Sequence, residues 1–132
     1  MKIFKNRVVL LVIIVAVLIS SMIYLKSVSE YKQKVQSTTF DEINISDISD
    51  GIYIGEYDVN FIYAKVKVSI KNGKIVDIDI LEHKNGRGKS AESIINKIVD
   101  EQKINVDAIS SATNSSIVIK KAVENALKGE NQ

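Results

Sequence analysis

The chain has 132 residues, no cysteine, no proline and a formal net charge of +2 from 18 basic and 16 acidic side chains. That length holds one modest domain plus a tail or an anchor. Without cysteine there can be no disulfides, thiolate metal sites or iron–sulfur clusters. Mixed charge with no basic stripe among aromatics argues against nucleic-acid binding.

Taken in chain order, the first feature is "VVLLVIIVAVLISSMIYL", residues 8–25, an uncharged run between Arg7 and Lys26. As a helix it spans about 27 Å, close to the thickness of a hydrocarbon core. A cleaved signal peptide is the competing reading. The run is longer than a usual signal core and no Ala-x-Ala site follows, so it reads as an uncleaved anchor that meets membrane lipid along its length. Lys2, Lys5 and Arg7 crowd the N-terminal side and favour a cytoplasmic tail over residues 1–7. The rest of the chain would then lie outside the cell membrane as an extracytoplasmic domain on a single-pass anchor. Residues 26–49 are polar with scattered apolar positions and read as a stalk.

From Asp50-Gly51 the pattern changes to period two. "FIYAKVKVSIK" places Ala64, Val66, Val68 and Ile70 on one face and Lys65, Lys67 and Lys71 on the other, as a half-buried strand does. Asn72-Gly73 predicts a type I′ hairpin turn. "KIVDIDILE" continues with Val76, Ile78 and Ile80 inward and Asp77 and Asp79 outward, the aspartates placed to meet the lysines. "HKNGRGK", His83–Lys89, reads as a basic, glycine-containing loop. A helix is predicted over about Ser90–Glu101 and another over about Ser115–Lys128, with Gly129 as its stop. The fold class is α+β: a small antiparallel sheet of three or more strands over residues 50–129, two helices on one face, and an N-terminal transmembrane helix before it. Residues 130–132 form a tail.

Chemistry has few candidates. His83 is the only histidine and no ligand cluster surrounds it in sequence. No nucleophile-elbow signature is present. The "NGRGK" loop either binds an anion or is a solvated turn; its spacing is not that of a Walker A loop. The other candidate is "DAISSATNSS", Asp107–Ser116. Serine and threonine ahead of an apolar helical run are good caps. The small side chains and the free N–H groups of a helix start also suit a phosphate.

"DAISSATNSS" resembles the Asp-x-x-Ser-Gly-Ala-Thr motif of FMN-binding domains, which are related to the flavin-carrying subunits of sodium-pumping quinone reductases and of the ferredoxin–NAD oxidoreductase complex. "DGIYIGEY", "AKVKVSIKNGKIVDIDILEHKNGRGK" and "VDAISSATNSSIVIKKAVENALKG" follow in the family's order, so the likeness covers about Asp50–Gly129. The resemblance implies FMN as cofactor. It also implies a flavin transferase that esterifies the motif threonine, here Thr113, to the flavin phosphate. Asp107, Ser110 and Ala112 match the other motif positions. The family's glycine is Ser111 here, and serine would be at odds with a positive φ at that place. Asn114, Ser115 and Ser116 would donate to the phosphate. Apart from the motif, the positive charge of the Lys84–Lys89 loop, Arg87 and Lys89 included, would favour the anionic reduced form of a bound flavin. The implied function is a membrane-anchored flavoprotein passing electrons between membrane electron-transfer partners, as a redox subunit more than a stand-alone enzyme. The alternative is a non-catalytic binding or assembly module of a membrane complex that holds FMN non-covalently or not at all.

Overall fold

The computed structural model describes residues 1–85 and 88–129. It divides into two compact units, Met1–Gln33 and Lys34–Gln132.

The first unit is most of helix α1, Lys2–Gln36. Its most apolar 18 residues have a mean hydropathy of 3.1 and none of that window is buried in protein. A helix this long and greasy, with no protein covering it, serves as a membrane anchor or a signal sequence.

The second unit is built on a three-stranded antiparallel sheet in the order β1–β2–β3. The strands are β1 (Gly51–Asp58), β2 (Ile62–Lys71) and β3 (Lys74–Asn85). Helix α2 covers Ile94–Glu101 and helix α3 Thr113–Lys128. The α+β class therefore stands as predicted. Ala64, Val66, Val68 and Ile70 are all buried, as their alternation requires. Asn72 and Gly73 have φ of 53° and 71°, the two positive values a type I′ turn needs. Lys67 meets Asp79 across the polar face at 3.2 Å.

Alternation fails at two slips of the ladder, one at Val76 and one at Leu81. Ile75 is buried, whereas Val76 is 53% exposed. The β2–β3 register slips between Ser69 and Ile70, so Val76 has no partner in the ladder. A bulge of this kind reverses the facing of the residues around it. The bulge at Val76 is braced from outside the sheet. Gln102, in the left-handed conformation after α2, accepts from the Ile75 N–H and donates to the Ile75 carbonyl, each at 2.8 Å.

Other boundaries shift as well. β3 runs on to Asn85, so His83 lies inside the strand and pairs with Ala64. The helix predicted from Ser90 starts as a 3₁₀ turn, Lys89–Ser93, and becomes α-helical at Ile94. Helix α3 begins at Thr113, two residues before its predicted start. The polar segment after α1 belongs to the second unit, where Val35 and Ile45 are buried.

Helix α3 sits directly on the sheet. A β-carbon added at Gly55 would lie 2.2 Å from the Ala126 nitrogen and 2.3 Å from the Ala122 carbonyl oxygen. Only glycine lets strand and helix backbones approach so closely. The helix is amphipathic, yet Lys120, Glu124 and Asn125 are buried along with Val118, Ile119, Ala122, Val123 and Ala126. Part of the reason is a strap, residues 37–44, laid along its other side. Lys121 Nζ donates to the Thr39 carbonyl at 3.0 Å, and the Asp41 N–H donates to Glu124 Oε1 at 2.7 Å. Lys128 Nζ donates to Asp41 Oδ2 at 2.6 Å, and the Phe40 ring lies under Lys120.

Candidate functional site

The start of α3 is the candidate site. Its cap residue is Ala112, which offers no side-chain acceptor to the first-turn N–H groups. Leading into it, a turn is closed by the Ala112 N–H donating to the Ile109 carbonyl at 2.9 Å, with Ser110 and Ser111 at its tip. Ser116 braces the turn from within. Its hydroxyl donates to the Ala112 carbonyl at 2.8 Å and accepts from the Ile109 N–H at 3.0 Å, while its own N–H also reaches Ala112 O at 2.9 Å.

This arrangement sorts the predicted site residues. Asp107, Ser110, Ser111, Thr113 and Asn114 are exposed; Ala112, Ser115 and Ser116 are buried. Ser115 and Ser116 are the third and fourth residues of the helix, not its caps, and the hydroxyl of Ser116 is occupied by its turn. Ser111 does not have positive φ; among described residues other than glycine only Asn60, Asn72 and Gln102 do. The backbone therefore makes no demand for glycine at Ser111. Its hydroxyl instead lies 3.3 Å from that of Ser90, which joins the motif to the 3₁₀ turn.

The basic loop is only partly described. Arg87 lies outside the described residues. Lys89 is exposed at the start of the 3₁₀ turn and Gly88 before it is buried. Lys84 Nζ reaches back to the Asn60 carbonyl at 3.4 Å. His83 is no ligand cluster in the making. Its side chain is 2% exposed and its Nδ1 lies 3.1 Å from Glu92 Oε1, which ties β3 to the 3₁₀ turn. Among the described residues no three His, Asp or Glu side chains gather to hold a metal.

Sequence reasoning missed Ser90 and Lys120. The Lys-Ser at the 3₁₀ start was visible, but its pairing with Ser111 across 21 residues had no local signal. Lys120 reads as a solvated position on the polar face of α3; it is buried by Phe40 of the strap together with Asn105 and Val106.

A phosphate fits this place. Aligned peptide dipoles make the start of a 16-residue helix electropositive. The cap brings no competing side chain; Ser90, Ser111 and Thr113 are exposed, the first two with hydroxyls 3.3 Å apart. The FMN-binding domain family matches residues 62–128, and the chain belongs to that family. Its cofactor is FMN. No curated protein and no solved structure matches the chain.

Proposed function

We propose that this protein is a membrane-tethered flavoprotein that relays electrons at the outer face of the membrane, with FMN joined by a phosphoester to Thr113. The observation that carries this reading is the exposed Thr113 hydroxyl at the first residue of α3, beside a cap without a side-chain acceptor. When bound, FMN supplies a ring that takes up and returns one or two electrons. The chain's own part is to hold and orient it. Thr113 Oγ1 is the point of attachment. The first-turn N–H groups of α3, with Asn114, Ser111 and Ser110, hold the phosphate. Lys89, at the start of the 3₁₀ turn whose Ser90 meets Ser111, adds positive charge, and Arg87, two residues earlier in sequence, brings a second cation. Asp107 and Ala112 shape the motif that a flavin transferase reads.

In the attachment the Thr113 Oγ1–phosphorus bond forms and the phosphoanhydride of an activated flavin nucleotide breaks. The nucleotide fragment leaves, and the hydroxyl proton passes to a base on the transferase. The apolar part of α1 supports membrane anchoring, and the positive charges before it support an extracytoplasmic second unit. Membrane-bound redox proteins are then the partners. A single domain of this size has little room for a second substrate pocket, which favours a relay over a stand-alone enzyme.

The test is expression with a flavin transferase followed by a denaturing gel viewed under ultraviolet light. A fluorescent band that survives denaturation and is lost in Thr113→Ala is expected. Colour lost on denaturation of the unaltered protein would overturn covalent attachment and leave the binding-module reading.

A further inference from the structure

Lys120 is a lysine in a place where a lysine is costly. It is 5% exposed. An aliphatic side chain would pack there without the penalty of taking an ammonium out of water. The ammonium is held by three different groups. It donates to the Val106 carbonyl at 2.9 Å and to Asn105 Oδ1 at 3.1 Å, and it lies 4.7 Å from the centroid of the Phe40 ring. Burial pulls its pKa below the ordinary lysine value, and the negative charge of Asp107 opposes that shift.

Those partners join two parts of the domain. Asn105 and Val106 belong to the arm between α2 and the motif, which has no regular secondary structure. Ile104 and Val106 are buried, and Asn105 and Asp107 face out, so the arm is seated by alternate residues. Lys120 fixes the carbonyl and the side chain just before Asp107. It is seven residues beyond Thr113, two turns along the same side of α3 and about 10 Å along its axis. Phe40 comes from the strap, which lies outside the span 62–128 matched by the family.

We propose that Lys120 is the positioning residue of the attachment motif: its ammonium, covered by Phe40, fixes the Asn105–Val106 arm and so sets the Asp107 carboxylate where a flavin transferase must find it. This rests on Thr113 being the attachment point. It adds that the strap, through Phe40, holds the motif in register from outside the family's span. Lys120 touches neither the flavin nor the reacting hydroxyl. It acts through Asp107.

The experiment uses the full chain with a flavin transferase and follows covalent flavin per protein over time. The variants are Lys120→Met, Lys120→Arg, Asp107→Asn and the double variant Lys120→Met/Asp107→Asn. Methionine keeps most of the packing and removes the ammonium, with its charge and its hydrogen bonds to Asn105 and Val106. Lys120→Met is expected to slow attachment on the order of tenfold, the size of effect a small misplacement of a reacting partner produces. The double variant is expected to be no slower than Asp107→Asn alone, since both changes break one link. Lys120→Arg, which keeps the charge, recovers part of the rate. Attachment at the unaltered rate in Lys120→Met overturns the proposal, and so does an effect that multiplies fully with that of Asp107→Asn, because a merely structural loss would do so. Should Lys120→Met fail to fold, Phe40→Leu takes its place. It keeps apolar bulk but removes the ring, with a few-fold slowing that again disappears on Asp107→Asn. If the unaltered protein acquires no covalent flavin, the reading of Thr113 has failed and this proposal with it. Flavin attached normally in every Lys120 and Phe40 variant leaves Thr113 standing and removes only the role of Lys120.

Discussion

The two ends of helix α3 are built on opposite terms. At its start, Thr113 and Asn114 face solvent and the cap offers no side-chain acceptor. Two to three turns further on, Lys120, Glu124 and Asn125 are buried, and each is matched by a partner. Asn125 Nδ2 donates to the Glu56 carbonyl at 2.9 Å, and Glu124 takes the Asp41 N–H and the Lys121 ammonium. A helix start can be left open for a ligand only if the rest of the helix is held elsewhere. Here the sheet holds one side and the strap the other.

The strongest way to break that division is at Glu124. Its carboxylate is fully buried, so Glu124→Ala leaves the Asp41 N–H without its acceptor and strips Lys121 of its counter-charge. We expect a loss of about 4 kcal/mol, seen as a lower midpoint in denaturant and faster proteolytic cutting in residues 37–44. Gly55→Val attacks the other side. Its β-carbon meets the α3 backbone at 2.2 Å, and overpacking against two rigid backbones costs about 3 kcal/mol by thermal unfolding.

Ser116→Ala sharpens the comparison, because it touches the open end. The Ile109 N–H loses its acceptor, at a cost of about 1.5 kcal/mol. Attachment of flavin to Thr113 should slow by more than in a surface variant of equal stability. The smallest effect belongs to Asp41. The hydrogen bond and charge of Lys128 lower its pKa below the ordinary 3.8. Its contribution is therefore in full force above that value and is lost as pH falls below it through the lowered pKa. Asp41→Asn should flatten this part of the acid limb of a stability–pH curve and leave the curve above pH 5 unchanged in shape.

Much of this was legible in the residues. Period-two alternation located β2, Asn72-Gly73 located the turn, and the 3.6-residue spacing located α3. Val76 was misassigned because alternation assumes an unbroken ladder, and the bulge there is braced by Gln102, 27 residues from Ile75. The motif around Thr113 marked the candidate site. The earlier start of α3 was hidden because serines were read as caps, when Ser116 bonds back to the turn from inside the helix. The strap could not be read at all. Most of its residues are polar, and so are their partners on α3; each set looks solvated until the two are brought together. At Ser111 the glycine of the family suggested a backbone requirement, and the negative φ there shows that this chain has none.

The central claim is that the hydroxyl at the open end of α3 carries the flavin. Intact mass followed by peptide mapping, after expression with a flavin transferase, tests it directly. The account predicts one FMN phosphoester, on Thr113, in the peptide that contains Asp107–Ser116. An unmodified peptide from protein exposed to an active transferase, or a flavin on Ser110 or Ser111 instead, would contradict it.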